Sequence, residues 1–278
     1  MATKKAASTT KKSNVSKQPA TVTTVKAVES HTPAHAAASS IRSLRLGLTR
    51  TPIIAALLAE FIGTFIFAAT IIAGQGQPIL VFFALVGVVL AVGTISGAYV
   101  NPALVLGAWI TRRMSGMRAL AYIIAQVLGA MLALVVLNAY VGAAPAVSPT
   151  DVYGSAPSLF AAAAIPQGKE WLVFLTEFIG TLVFGFAVAG ATREKKERTA
   201  AALTVGLGVF LGLMIAGSAA AYIGASAILN PAIAISLQAL SFNIWPIAVY
   251  VVGTSLGAIV GFVLYDLLRG KQTSEQTT

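Results

Sequence analysis

Gly97-Ala-Tyr-Val-Asn-Pro-Ala103 is echoed further on by Gly224-Ala-Ser-Ala-Ile-Leu-Asn-Pro-Ala232. In both stretches an Asn and a Pro open a short apolar run. Pro suits the first turn of a helix, and Asn suits the position that caps it. The spacing predicts helices over 102–111 and 231–240, capped by Asn101 and Asn230. A bilayer needs about 20 apolar residues to be crossed, so these are half-length segments. A single Asn-Pro-Ala is an ordinary cap. Two of them in register with a second matched pair are not.

That second pair is Glu60-Phe-Ile-Gly-Thr-Phe-Ile-Phe67 and Glu177-Phe-Ile-Gly-Thr-Leu-Val-Phe184. In both copies the Glu segment precedes the Asn-Pro-Ala segment, which makes an internal repeat. Working outward, six apolar runs are long enough to span: 53–73, 79–100, 118–141, 171–191, 200–222 and 245–268. Repeat one covers about 53–141 and repeat two about 171–268, with three spans each. An odd number of spans inserts the second copy from the opposite side, giving an inverted repeat. The expected fold is an all-α polytopic membrane protein with six transmembrane helices and two re-entrant half-helices. The half-helix N-termini then meet near the midplane. Irregular backbone at that depth must be buried in protein or line a water-filled path.

Composition agrees. Of the 278 residues, 57% are hydrophobic and only 10% charged, with a mean hydropathy of +0.83. Soluble domains carry about 25% charged residues. There is no cysteine, and the two histidines, His31 and His35, sit in the N-terminal tail. The spans therefore hold no imidazole base, thiolate or Cys/His metal set, and neither an enzyme nor a cofactor is expected.

The net charge of +10 suggests nucleic acid until it is located. Residues 1–50 carry nine Lys/Arg against one acid, Glu29. Such a segment reads as a disordered basic tail touching anionic headgroups, not as a nucleic-acid arm. The expected organisation is a tail over 1–50, a channel domain over 51–270 and a second tail over 271–278. Positive charge favours the cytoplasmic side. Both termini inside place eighteen of the nineteen Lys/Arg there and leave only Lys169 outside.

The chain resembles the major intrinsic protein family, the aquaporins and glycerol facilitators. The likeness runs over about 53–268. It includes Ala59-Glu-Phe-Ile-Gly-Thr64, Ser96-Gly-Ala-Tyr-Val-Asn-Pro-Ala103, Ala125-Gln-Val-Leu-Gly-Ala130, Asn230-Pro-Ala232 and Gly253-Thr-Ser-Leu-Gly-Ala258. It implies an aquaporin-like fold, a homotetramer in the cell membrane with one pore per subunit, and water or a small neutral solute as the permeant. Asn101, Pro102, Ala103, Asn230, Pro231 and Ala232 become the central pore motifs, with amides donating to the permeant. Paired helix N-termini there repel cations, the mechanism general to pores of this type. Glu60 and Glu177 become structural carboxylates that hold the adjoining loops.

At the outer filter the chain departs from the family. The family's Arg after the second Asn-Pro-Ala is Ile233 here. The other filter positions align with Val81, Leu213 and Ala227. Leu213 assumes a loop before Asn230 about five residues longer than usual; an ungapped count gives Ser218. The His common before the first motif is Tyr99, and the Asp of a typical glycerol facilitator is replaced by Ala234. An apolar filter has two readings. A wider mouth would admit glycerol, urea or ammonia with poor water flux, while a narrow apolar ring would dewet. A coupled secondary transporter is the alternative from another class. It would need intramembrane charges, and only Glu60, Glu177 and the end-of-helix Asp266 offer them.

Overall fold

The computed structural model describes residues 52–144, 158–194 and 196–270. The tails expected over 1–50 and 271–278 lie outside the described residues. Every regular element among the described residues is helical. The first repeat comprises α1 (Pro52–Ala73), α2 (Pro78–Ser96), the half-helix α3 (Pro102–Ile110) and α4 (Gly116–Gly142). The second comprises α5 (Glu170–Ala191), α6 (Arg198–Ala221) and the half-helix α7 (Pro231–Ser236). A composite last span follows: α8 (Ile244–Ile247), a π-turn (Ala248–Gly253) and α9 (Thr254–Arg269). Six of these helices are long and apolar enough to cross a membrane. The face carrying the loops 111–115 and 192–197 is called inner below, and the opposite face outer.

Four helices in the body open on proline: α1, α2, α3 and α7. Its fixed φ suits the first turn, where the missing N–H is not needed. The second span ends four residues earlier than its apolar run suggests. Gly97 adopts φ 98°, in the left-handed region, and its N–H closes on the Gly93 carbonyl. The chain can then turn back into the protein toward Asn101.

Both half-helices stop in the same way. Arg112 (φ 59°) and Gln238 (φ 57°) take the left-handed conformation. The next residues donate five back, Arg113 N to Ala108 O (2.7 Å) and Ala239 N to Ala234 O (2.8 Å). This closing bond is normally reserved for helices ending in glycine. It makes α7 six residues long, shorter than the 231–240 expected, because the reversal falls at Gln238.

The two repeats contact their neighbours in matching fashion. α1 lies against α4 and α5 against α9, while each half-helix meets the last span of the other repeat: α3 with α9, and α7 with α4. Gly129 and Gly257 make the first pair of contacts possible. A Cβ at Gly129 would collide with the Phe61 carbonyl, and one at Gly257 with that of Phe178. Small residues let membrane helices approach backbone to backbone. On the outside of α1, Ile54, Leu58, Ile62 and Ile66 are exposed at every fourth position. An apolar stripe facing outward fits a solvent of lipid tails.

The last span carries a π-turn that apolar periodicity did not indicate. Thr254 follows it directly, and its hydroxyl donates to Tyr250 O (2.8 Å) and Val251 O (3.2 Å) inside the turn.

Candidate functional site

The centre of the molecule is built from two nearly identical corners. Asn101 has φ −155° and ψ 115°, and Asn230 has φ −153° and ψ 113°. Each side-chain oxygen caps its own half-helix. Asn101 Oδ1 accepts from Ala103 N at 2.9 Å, and Asn230 Oδ1 accepts from Ala232 N at 3.0 Å and Ile233 N at 3.4 Å. Each amide nitrogen reaches across to the other repeat. Asn101 Nδ2 donates to Leu229 O, and Asn230 Nδ2 to Val100 O, both at 2.9 Å. An amide carries two N–H groups, so each keeps one for another acceptor.

Val100 (φ 40°) and Leu229 (φ 59°), the residues before each Asn, are left-handed. That conformation is unfavourable for residues with a Cβ, and it persists only where surroundings enforce it. The two buried glutamates supply the enforcement. Glu60 accepts from Tyr99 N (3.0 Å), Val100 N (2.8 Å) and Gln126 Nε2 (2.7 Å). Glu177 accepts from Ile228 N and Leu229 N, both at 2.7 Å. Both carboxylates are fully buried, where an unpaired charge would be very costly. Four of these five bonds come from backbone N–H groups that shape a loop. Gln126 joins the group from α4 and has no counterpart in the second repeat, where Thr254 occupies the matching position.

Val81, Leu213, Ala227 and Ile233 come together around one cavity of about 220 Å3 on the outer side of Asn230. Ser218, the ungapped alternative, lies on the exposed side of α6, its hydroxyl spent on Met214 O. Phe67, Phe184 and Val209 also line the cavity, and so does Phe160 from the segment preceding α5. This segment is laid over the mouth by two bonds: Ala162 N to Leu237 O (3.0 Å) and Ala163 N to Ser226 Oγ (2.9 Å). Ile233 is 1% exposed. None of the residues lining this cavity is ionisable. At ~30 Å3 per water molecule, the space holds several waters or one small polyol.

A second cavity, of about 340 Å3, opens on the inner side. Tyr99 and Leu104 line it near the centre, and Arg113, Arg118 and Arg198 line it near the surface. Arg113 is fixed from several directions. It donates to Ala189 O (2.7 Å), to the Thr192 hydroxyl and to Asp266 Oδ1 (2.7 Å), and its guanidinium lies over the Phe262 ring. Burial lowers its pKa from the usual arginine value, and Asp266 opposes that shift.

These corners, cavities and six spans can be set beside known proteins. The sequence model of the family described as Major intrinsic protein matches residues 47–265.

The chain belongs to the major intrinsic protein family.

Among curated relatives, Aquaporin NIP1-1 of Zea mays is 32% identical over 78% of this chain and 76% of its own length. Aquaporin AqpM of Methanothermobacter marburgensis is 28% identical, over 68% of this chain and 74% of its own. Among solved structures, the aquaglyceroporin from Plasmodium falciparum superposes with a TM-score of 0.57 at 18% identity, covering 77% of this chain and 95% of that one. At that identity the likeness concerns the fold alone. Major intrinsic proteins are channels and not enzymes. This member is an integral membrane protein and a passive channel for water or small solutes.

Three participants escaped the sequence reading as functional residues. Gln126 gave a weak signal, one of two amides in an apolar span. Phe160 gave none, because a loop has no periodicity. The inner arginines were legible only as topology charges.

Proposed function

We propose that this chain is a pore for small neutral solutes larger than water, such as glycerol or urea. The carrying observation is the outer cavity, where Val81, Leu213, Ala227 and Ile233 meet without an ionisable neighbour. A fixed guanidinium at position 233 would narrow the passage and bind oxygens tightly. Ile233 does neither, so a solute that brings its own carbon surface loses less on entering. Water alone gains little from an apolar wall, and its flux is expected to be modest.

Asn101 and Asn230 act as central donors, each with one N–H left for a permeant oxygen. The half-helix ends at Pro102-Ala103 and Pro231-Ala232 present partial positive charge that disfavours cations. Glu60 and Glu177 serve as structural braces. Their oxygens are committed to loop N–H groups, which disfavours ion-coupled transport. The family supports a homotetramer in the cell membrane, and the charge distribution supports both termini inside. The expected division into a tail over 1–50, a channel domain over 51–270 and a tail over 271–278 belongs to the same proposal.

The test is a solute panel on proteoliposomes by stopped-flow light scattering, with proton leak followed by an entrapped dye. Glycerol and urea rates well above those of empty vesicles, without proton leak, are expected. Rates equal to those of empty vesicles, or uptake driven by an ion gradient, would overturn the proposal.

A further inference from the structure

The inner cavity contains something a neutral-solute pore does not need. Arg113, Arg118 and Arg198 come from three separate places: the loop after α3, the first turn of α4 and the first turn of α6. Among the described residues, Arg112, Arg193 and Lys196 carry charge on the same face without lining the cavity. The positive-inside rule requires charge in the loops. It does not require guanidinium groups on the wall of the passage, nor arginine in preference to lysine. All three wall residues are arginine, whose planar fork matches the oxygens of a phosphate or carboxylate.

The donors are also available. Arg118 is exposed, stacks over Tyr122 with 5.9 Å from guanidinium carbon to ring centre, and has no carboxylate partner among the described residues. Arg198 is exposed, and among the described residues its one hydrogen bond is to Leu90 O at 3.3 Å. Arg113 is committed to Asp266 and Thr192, yet its Nε is buried without a partner. Ser96 Oγ already accepts from Ala98 N, so its hydroxyl hydrogen is free to donate into the same space. Thr94 lines the cavity beside it. One carboxylate faces this set, Glu194, which accepts from Lys196 N and Glu197 N.

We propose that this cavity is a binding site for a phosphate monoester, and that the bound anion obstructs the pore. Two guanidinium forks and the hydroxyl donors exceed what the two oxygens of a carboxylate can accept. A phosphate monoester presents three terminal oxygens and a charge of roughly −1.5 to −2. The cavity of about 340 Å3 is lined at its deep end by Tyr99 and Leu104. An occupant therefore stands between the inner solution and Asn101. It does not pass through, because the outer cavity offers a desolvated anion no ionisable partner. The obstruction rests on the pore reading above, whereas the site itself does not.

The probes are inorganic phosphate and methyl phosphate, applied to the full chain. Glycerol flux is measured in phosphatidylcholine proteoliposomes with probe on both faces, against sodium chloride of equal ionic strength. A severalfold slowing is expected for the native chain. Arg118→Gln with Arg198→Gln should abolish it. Arg118→Lys with Arg198→Lys should weaken it, which separates fork recognition from charge and serves if the glutamine pair folds poorly. Calorimetric titration of methyl phosphate into the detergent-solubilised chain reads the site without any flux. Vesicles containing phosphatidic acid separate the two sources of the same chemistry. Slowing there without added phosphate indicates a lipid headgroup, and slowing only on addition indicates a free ester. Binding no tighter in the native chain than in the glutamine pair, or slowing matched by chloride, would overturn the proposal. If the native chain conducts no faster than empty vesicles, the pore reading falls and calorimetry alone decides the site.

Discussion

The two repeats agree at the centre and disagree at the mouths. Asn101 and Asn230 match in φ and ψ to within about 2°, cap alike and donate across to each other's loop at the same distance. The outer cavity, by contrast, carries no ionisable residue, and the inner one carries three arginines. The centre is constrained because every group there answers two partners at once. Val100 gives its N–H to Glu60 and its carbonyl to Asn230; Leu229 gives the same to Glu177 and Asn101. The mouths are freer, since a side chain lining a cavity has open space on one side. On the proposed function, symmetry holds the permeation machinery and selectivity is set where symmetry is relaxed.

The largest expected effect comes from breaking the shared centre. Replacing Asn101 or Asn230 with Leu removes a cap, a cross-repeat bond and the free donor together. Solute flux in proteoliposomes should fall to that of empty vesicles for either variant. Equal loss at both positions sharpens the symmetry argument, and survival of flux at one of them breaks it.

A somewhat smaller effect should separate the two braces. Leu at Glu60 strands three donors, whereas Leu at Glu177 strands two. Each buried unsatisfied group costs about 1–3 kcal/mol. Both variants should lose thermal stability in detergent, Glu60→Leu the more. The reverse order would show that Gln126 contributes nothing to the first corner.

How much of this was legible depended on how local each signal is. The half-helix starts were readable because an Asn-Pro pair acts on its own backbone. The first end was readable to within one residue, and the second was not. Arg112 and Gln238 are left-handed without being glycine, and the closing bonds to Ala108 and Ala234 mark the stops. Glu60 and Glu177 were readable through the repeat, but their partners lie 39 to 66 residues away along the chain. Leu213 required a gap in the count before Asn230. The cavity supports that choice, since Leu213 faces it and Ser218 does not.

The smallest effect should come from the loop over the outer mouth. Phe160 lines the cavity, and its ring meets the space above Gly76. Phe160→Ala opens the mouth without touching the centre. A rise of about two- to threefold in the urea rate is expected, under 1 kcal/mol in the barrier, with the water rate changed less. An unchanged panel would mean that the ring stands clear of the path.

The central claim is that the apolar outer wall sets the solute range. Its most direct test is the ratio of glycerol to water permeability for the native chain and for Ile233→Arg, measured in the same proteoliposomes. The account predicts that Arg lowers the ratio by about tenfold, or ~1.4 kcal/mol, while water continues to pass. Glycerol, urea and water rates all unchanged by the substitution would contradict it.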